Sequence, residues 1–290
     1  LPSLQQIFQS LSVLRGNIVS IEKIYDSLIT NQHSRKKINK DVLINSAEGK
    51  YESDLYLKNI QYYYNGSKQI NINIKSLRAN FGDIIFIKGE SGSGKSTFAD
   101  FICGIRSSQN GYYSFQGINV NTISRDQFWK DVMYLPQQPM VIAGSIIDNV
   151  IFGSGDIIGN FNLKKVKQAL NAVKLDNFID VNGEISDISI KQDGDNLSGG
   201  QKQRLILARV YYSKPKLIVL DEATSGLDKK MEQSVLNNLI ELCKHTSIIF
   251  IIAHNERIVD MCNRAFQLKE GLVKELKLKN NIFKEIVSDK

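Results

Sequence analysis

The chain has 290 residues, is 42% hydrophobic and 23% charged, and sets 37 basic against 30 acidic side chains for a net charge of +7. That size and apolar content suit one large domain, or one domain with a small appendage, and exclude the profile of a disordered chain. The positive balance fits a phosphate-rich partner or, more simply, charge spread over a solvated surface.

The first 28 residues place Leu4, Ile7, Leu11, Leu14, Ile18, Ile21, Tyr25 and Leu28 at alternating spacings of three and four. This predicts an amphipathic helix with a narrow apolar stripe, weakened at Gly16 by about 1 kcal/mol relative to Ala. The stripe suits either a helix packed on its own domain or the end of a longer helix whose partners lie elsewhere. Residues 31–52, with His33 and the basic run Arg35, Lys36 and Lys37, read as a linker.

From residue 53 the pattern turns to strand. Leu55, Leu57 and Ile60 lead into Tyr62, Tyr63 and Tyr64, and Asn65-Gly66 signals a hairpin before the alternating Ile70, Ile72 and Ile74. Apolar strands are expected at Ile84–Ile87, Leu217–Leu220 and Ile248–Ile252, with helices at Lys95–Cys103, Leu163–Val173 and Gly199–Tyr211. Strands alternating with helices imply an α/β fold with a largely parallel, covered sheet, into which residues 141–212 insert as a mainly helical unit. The Lys-rich tail from Leu268 to Lys290, interrupted by Glu270, Glu275, Glu285 and Asp289, reads as solvated helix and turn, not as a nucleic-acid arm. Cys103, Cys243 and Cys262 are far apart without a CxxC pair, which argues against a zinc site or a disulfide framework. No stretch reaches the roughly 18 apolar residues of a membrane span, no secretory leader is visible, and the opening at Leu1 without Met fits a piece of a longer protein.

Three segments carry the chemistry. Gly89-Glu90-Ser91-Gly92-Ser93-Gly94-Lys95-Ser96, followed by Thr97, fits the GxxxxGK[ST] pattern between a strand and a helix. Glycines there let backbone N–H groups wrap phosphate oxygens at a helix N-terminus. Lys95 is expected at the β- and γ-phosphates and Ser96 on Mg²⁺. The apolar strand ending in Asp221, followed by Glu222, supplies a second magnesium ligand and a base to polarise an attacking water. Leu197-Ser198-Gly199-Gly200-Gln201 opens a second helix and with it a second anion site.

Together with Lys202-Gln203-Arg204 and the spacing to Asp221-Glu222-Ala223-Thr224-Ser225-Gly226-Leu227-Asp228, that last segment resembles the signature of ABC ATPases. The resemblance covers residues 53–290 and implies a P-loop NTPase fold: a RecA-like mixed-sheet core, an antiparallel β subdomain and an α-helical signature subdomain. It implies ATP and Mg²⁺ as ligands, and a head-to-tail partner, identical or paralogous. Each ATP would lie between Gly89–Thr97 of one subunit and Ser198–Gln201 of the other. By the same resemblance Tyr64 stacks on adenine, with Tyr62 and Tyr63 as alternatives. Gln137 is the Q-loop glutamine on Mg²⁺, Asp228 crosses the dimer interface, and His254 contacts the γ-phosphate. Lys191-Gln192-Asp193-Gly194 departs from the Gly-Glu common before the signature in exporters. Asn255 stands where Arg is frequent and reads as a tolerated surface change, while Gly226 stands where Ala is frequent and is expected to matter little.

Residues 1–30 look similar to the cytoplasmic end of the last membrane helix in type IV exporters, especially flippases for lipid-linked oligosaccharides or polysaccharides. That implies a transmembrane-domain partner, a place at the cytoplasmic face of the cell inner membrane, and transport as the work done, with no nucleic acid as partner. An importer ATPase and an ABC ATPase acting on nucleic acid are the alternatives, as is a degenerate site that binds without turnover.

Overall fold

The computed structural model describes residues 53–63, 70–108, 110–157, 159–253, 255–279 and 282–285. They belong to one compact unit, Tyr51–Lys290. The expected N-terminal helix at 1–30, the linker, the Asn65-Gly66 turn, Tyr64 and His254 lie outside the described residues.

Within them the strands are β1 (Leu55–Tyr63), β2 (Ile70–Ala79), β3 (Ile84–Lys88), β4 (Asn110–Phe115), β5 (Ile118–Asn119), β6 (Val132–Leu135), β7 (Leu217–Asp221), β8 (Ile248–Ile252), β9 (Arg264–Lys269), β10 (Leu272–Lys279) and β11 (Ile282–Glu285). They form one mixed sheet in the order β5-β4-β1-β2-β10-β9-β3-β8-β7-β6, with β11 on β10. The run β9-β3-β8-β7-β6 is parallel throughout. β1 pairs antiparallel with both β2 and β4. The fold is thus the mixed α/β P-loop arrangement, with an antiparallel strand region at one side of the parallel core.

Period-two geometry divides each central strand between two cores. In β3, Ile85 and Ile87 face the core that holds Phe98, Phe101 and Ile102 of helix α1 (Lys95–Ile102). Ile84 and Phe86 face the opposite core, built with helices α3 (Ile146–Ile151), α4 (Leu163–Ala172), α5 (Gly199–Ser213) and α6 (Lys229–Cys243). A short helix α2 (Arg125–Trp129) opens on a Ser124–Gln127 capping box. Burying each Ile or Phe of these strands stabilises the fold by about 1.5–3 kcal/mol, which is why a sheet covered on both faces reads as near-continuous apolar runs.

One expectation changes. The tail after Leu268 is not helix and turn: it is the β9–β10–β11 meander. Glu270 (φ 49°) and Gly271 (φ 77°) make the tight two-residue turn between β9 and β10, and both central residues of such a turn take positive φ. Lys274 and Lys277 are exposed while Val273 and Leu276 are buried, one in each of the two cores, so the lysines sit on opposite faces of β10. The insertion between β6 and β7 is the expected helical unit, built on α3, α4 and α5. Between α4 and α5 the chain makes only the 3₁₀ turns Asp176–Phe178 and Gln192–Gly194 and isolated bridges such as Ile179 with Ile185.

Candidate functional site

Four adjacent parallel strands aim their carboxyl ends at one edge. β3 runs into the glycine loop and α1, β7 ends on Asp221, β6 leads through Pro136 to Gln137, and β8 leads to Ala253. That edge is where ligands of open α/β sheets bind.

The loop is shaped by its glycines. Gly92 (φ 79°) and Gly94 (φ 101°) occupy the left-handed region that side chains resist. A Cβ on Gly89 would lie 2.5 Å from Ser93 Oγ and 2.7 Å from the Leu268 carbonyl oxygen. Lys95 is buried, and its ammonium donates to the carbonyls of Gly89 and Glu90, each at 2.9 Å. Ser93 Oγ is buried with no hydrogen-bond partner among the described residues. Leaving such a group unsatisfied costs about 1–3 kcal/mol, so the loop carries a polar atom suited to an incoming acceptor.

Opposite stands Asp221, buried at the end of β7. Its carboxylate accepts from the Ser96 hydroxyl and from Tyr134 Oη, the latter at 3.1 Å. Burial pushes the Asp221 carboxyl up from its ordinary value and neighbouring Glu222 adds to that, while the bonds from Ser96 and Tyr134 and the charge of Lys95 pull it back. Burial, with the Asp221 charge beside it, raises the Tyr134 phenol above its ordinary value, so Tyr134 stays a donor.

Glu222 adopts φ 52°, a left-handed conformation that costs a non-glycine residue about 1–2 kcal/mol. Its N–H donates to Ile252 O at 2.9 Å, fixing the turn to the end of β8. Its side chain accepts from Gln137 Nε2 at 2.8 Å, joining the segment after β6 to the segment after β7.

The other expected residues are placed elsewhere. Ser198 caps α5 in a capping box: its Oγ accepts from Gln201 N at 3.2 Å, and Gln201 Oε1 accepts from Ser198 N at 2.9 Å. Ser198 and Gly199 are exposed. Asp228, also exposed, caps α6 by accepting from the backbone N–H groups of Lys230 (3.1 Å) and Met231 (3.0 Å).

Several contacts were not foreseen from sequence. Tyr134 reaches Asp221 from β6, and its only signal was a place three residues before Gln137. Gln203 is buried on α5, and its Oε1 accepts from Gly226 N at 2.8 Å. A Cβ on Gly226 would sit 2.9 Å from that same oxygen, so glycine there makes room for the contact. Asn255 is no bare surface position: its Nδ2 donates to Glu232 Oε2 at 2.8 Å.

The residues present fit a nucleoside triphosphate with magnesium. The glycine loop, the ammonium of Lys95 and the orphaned Ser93 hydroxyl supply the anion-binding side, and the Ser96–Asp221 pair supplies oxygen ligands. Among the described residues no three His, Cys, Asp or Glu side chains cluster as a metal cage, and magnesium in such sites takes only one or two protein oxygens beside phosphate.

A family model described as ABC transporter matches residues 72–225, from β2 through the glycine loop and signature to Ser225. The chain belongs to the ABC transporter family. It is this family's nucleotide-binding domain, an ATP-hydrolysing unit. It is 31% identical over 251 residues to the lactococcin-G-processing and transport ATP-binding protein LagD of Lactococcus lactis subsp. lactis, covering 84% of this chain and 35% of that protein. It is 28% identical over 275 residues to the alpha-hemolysin translocation ATP-binding protein HlyB of Escherichia coli O157:H7, covering 94% and 36%. It is 32% identical over 267 residues to the multidrug resistance-like ATP-binding protein MdlB of Buchnera aphidicola, covering 91% and 43%. The chain spans about a third of the length of the first two of these relatives. A bacterial Atm1-family ABC exporter with ATP bound superposes with a TM-score of 0.67 at 24% identity, over 76% of this chain and 37% of that one, a likeness of fold.

Proposed function

We propose that this domain powers an ABC exporter at the cytoplasmic face of a membrane by closing head to tail with a second such domain on two ATP molecules. The observation that carries the reading is the convergence of four strand ends, which sets the Gly89–Thr97 loop, the Ser96–Asp221 pair and the Gln137–Glu222 pair along one edge.

In this mechanism Lys95 exchanges its two loop carbonyls for β- and γ-phosphate oxygens. Magnesium, when bound, neutralises charge on those phosphates. Ser96 and Asp221, with Gln137, hold it, and Tyr134 steadies Asp221. Glu222 takes the proton of the attacking water, and His254 contacts the γ-phosphate. A triphosphate resting on the loop would present its outer face to the exposed Ser198–Gln201 helix end of a second subunit. The side chain of Gln201 serves the cap, so the backbone N–H groups of Gly199 and Gly200 and the Ser198 hydroxyl face the partner's ligand. Tyr64, or Tyr62 or Tyr63, stacks on the base.

A cleft of about 380 Å³ lined by Trp129, Met133, Tyr134, Met140, Phe152 and Arg209 lies beside Pro136. It supports a transmembrane-domain partner, because whatever fills it presses on the segment leading to Gln137. The helix expected at residues 1–30 would join that partner. On cargo, LagD is named for lactococcin-G processing and transport and HlyB for alpha-hemolysin translocation, which favours an exported polypeptide. The lipid-linked glycan implied by residues 1–28 is the second candidate. Vesicles holding the transporter separate the two: ATPase stimulation by polypeptide but not by lipid-linked oligosaccharide selects the first.

Glu222→Gln tests the engine. It should retain ATP binding while turnover falls on the order of 10²–10⁴-fold. Turnover near wild type would remove Glu222 from the reaction.

A further inference from the structure

Glu232 lies one turn into α6 and touches none of the loops expected to hold phosphate, yet it is a buried carboxylate, 8% exposed. A carboxylate taken out of water is costly to keep unless hydrogen bonds meet its oxygens. Here both are occupied, by neutral donors from two different segments. Thr224 Oγ1 donates to Oε1 at 2.7 Å, and Asn255 Nδ2 donates to Oε2 at 2.8 Å. Thr224 lies two residues after Glu222. Asn255 immediately follows His254 in the chain, and its own Oδ1 is engaged by the N–H of Arg257 at 3.2 Å. The three side chains border a cavity of about 300 Å³ that Glu222 also lines.

We infer that Glu232 is a positioning residue: it clamps the segment after β7, which carries Glu222, to the segment after β8, which carries His254, and so sets the spacing of the two groups that hydrolysis needs. The inference rests on the proposed roles of those two residues. The two-oxygen acceptor suits the task because it meets two donors at once, and the engaged Oδ1 of Asn255 prevents that amide from flipping without losing the Arg257 bond. The anchor is α6, whose first turn Asp228 caps, so the same helix ties both segments to the loop at the edge of the second anion site.

Donor and acceptor can be exchanged across the Glu232–Asn255 contact. Asn255→Asp sets two carboxylates against each other. Glu232→Gln keeps both contacts, because its amide can donate to Thr224 Oγ1 while its oxygen accepts from Asn255. The pair Glu232→Gln with Asn255→Asp restores a bond of opposite polarity and leaves the Arg257 N–H its acceptor. Steady-state ATPase of the full chain, ATP affinity by calorimetry and Tm should be measured for each, at a temperature well below every Tm. Asn255→Asp should lose about tenfold or more in kcat with ATP affinity within about threefold, Glu232→Gln should stay within about twofold, and the pair should recover to within about threefold of wild type, as coupled neighbours do. If Asn255→Asp turns over like wild type, if its loss lies in affinity alone, or if the pair is no better than Asn255→Asp, the clamp is refuted. Glu222→Gln run alongside keeps the two readings apart: its failure to abolish turnover would overturn the proposed reaction, while its inactivity with an unimpaired Asn255→Asp would overturn only the clamp.

Discussion

The Gly89–Thr97 loop and the Ser198–Gln201 helix end use the same device, backbone N–H groups at a helix N-terminus, and the fold treats them oppositely. The first opens to solvent at Glu90–Gly92 and Ser96, but it has Lys95 buried, Ser93 Oγ lacking a partner among the described residues, and the desolvated Asp221 beside Ser96. The second is exposed and internally satisfied by a reciprocal capping box. One end therefore holds an unsatisfied hydroxyl and a desolvated carboxylate that a ligand and its metal would relieve, and the other is at rest without one. A site stabilised by its ligand binds it alone, whereas a site already satisfied adds affinity only when a loaded surface is brought to it. That asymmetry is the physical content of a half-site completed by a second copy.

The strongest way to break the comparison is on the loop. Lys95→Ala removes the one cation among the loop's own residues. ATP affinity should fall by about 1.5–3 kcal/mol, the worth of a charge-assisted hydrogen bond. Calorimetry showing unchanged affinity would mean the loop does not grip phosphate. Substitution at the helix end should act differently. Ser198→Arg in a Glu222→Gln background should leave ATP binding by the single domain intact and abolish the ATP-dependent dimer in sedimentation. Ser198→Ala, which removes the cap without adding bulk, should cost about 1 kcal/mol of stability and keep the dimer. A dimer that survives Ser198→Arg would place the second anion site outside the interface.

Sequence made the glycine loop legible because its chemistry is local. Gly89 to Ser96 is contiguous, and the strands before it and before Glu222 are apolar runs that only a covered sheet accepts. The exposed half was legible for the same reason: Ser198 and Gln201 form their box within one turn. What escaped reading is non-local. Tyr134 meets Asp221 across 87 positions of chain, and Asn255 meets Glu232 across 23; neither pairing leaves a periodic or compositional trace. The tail was misread because its lysines were weighed as charge. The Glu270-Gly271 turn and the antiparallel pairing of β10 with β9 and β11 make it a meander, with Val273 and Leu276 buried one in each core.

The desolvated Asp221 sharpens the comparison through pH. Its pKa is raised by folding, so the folded domain holds a proton that the unfolded chain has already released. Its favourable contribution is complete below the unfolded value and is lost as pH rises through the raised folded one. Asp221→Asn, without magnesium or nucleotide, should therefore be more stable than wild type above that range by about 1 kcal/mol, the scale of relieving an under-compensated polar group, or about 2–4 °C in Tm for a domain of this size. The advantage should vanish in acid. It should reverse when ATP and magnesium are added, since only the wild type gains from the metal. A variant no more stable than wild type at neutral pH would mean that the Ser96 and Tyr134 bonds already offset the burial.

The smallest expected effect lies between the two halves. Gly226 sits beyond Glu222 on the way to Asp228, and its N–H donates to the buried Gln203 of the signature helix. A methyl at Gly226 would meet Gln203 Oε1 at 2.9 Å and its amide nitrogen at 3.2 Å. The obstacle is the end of a flexible side chain, so Gly226→Ala should displace Gln203 without disturbing the backbone and forfeit one hydrogen bond, about 0.5–1.5 kcal/mol. Denaturant unfolding should show a lower midpoint with an unchanged slope. Gln203→Leu should lose the same bond by itself, and the double variant should be no worse than the sum, because leucine leaves the new methyl no oxygen to meet. A wild-type midpoint for Gly226→Ala would mean that Gln203 swings aside at no cost, and that the two halves are joined only through β7 and α5.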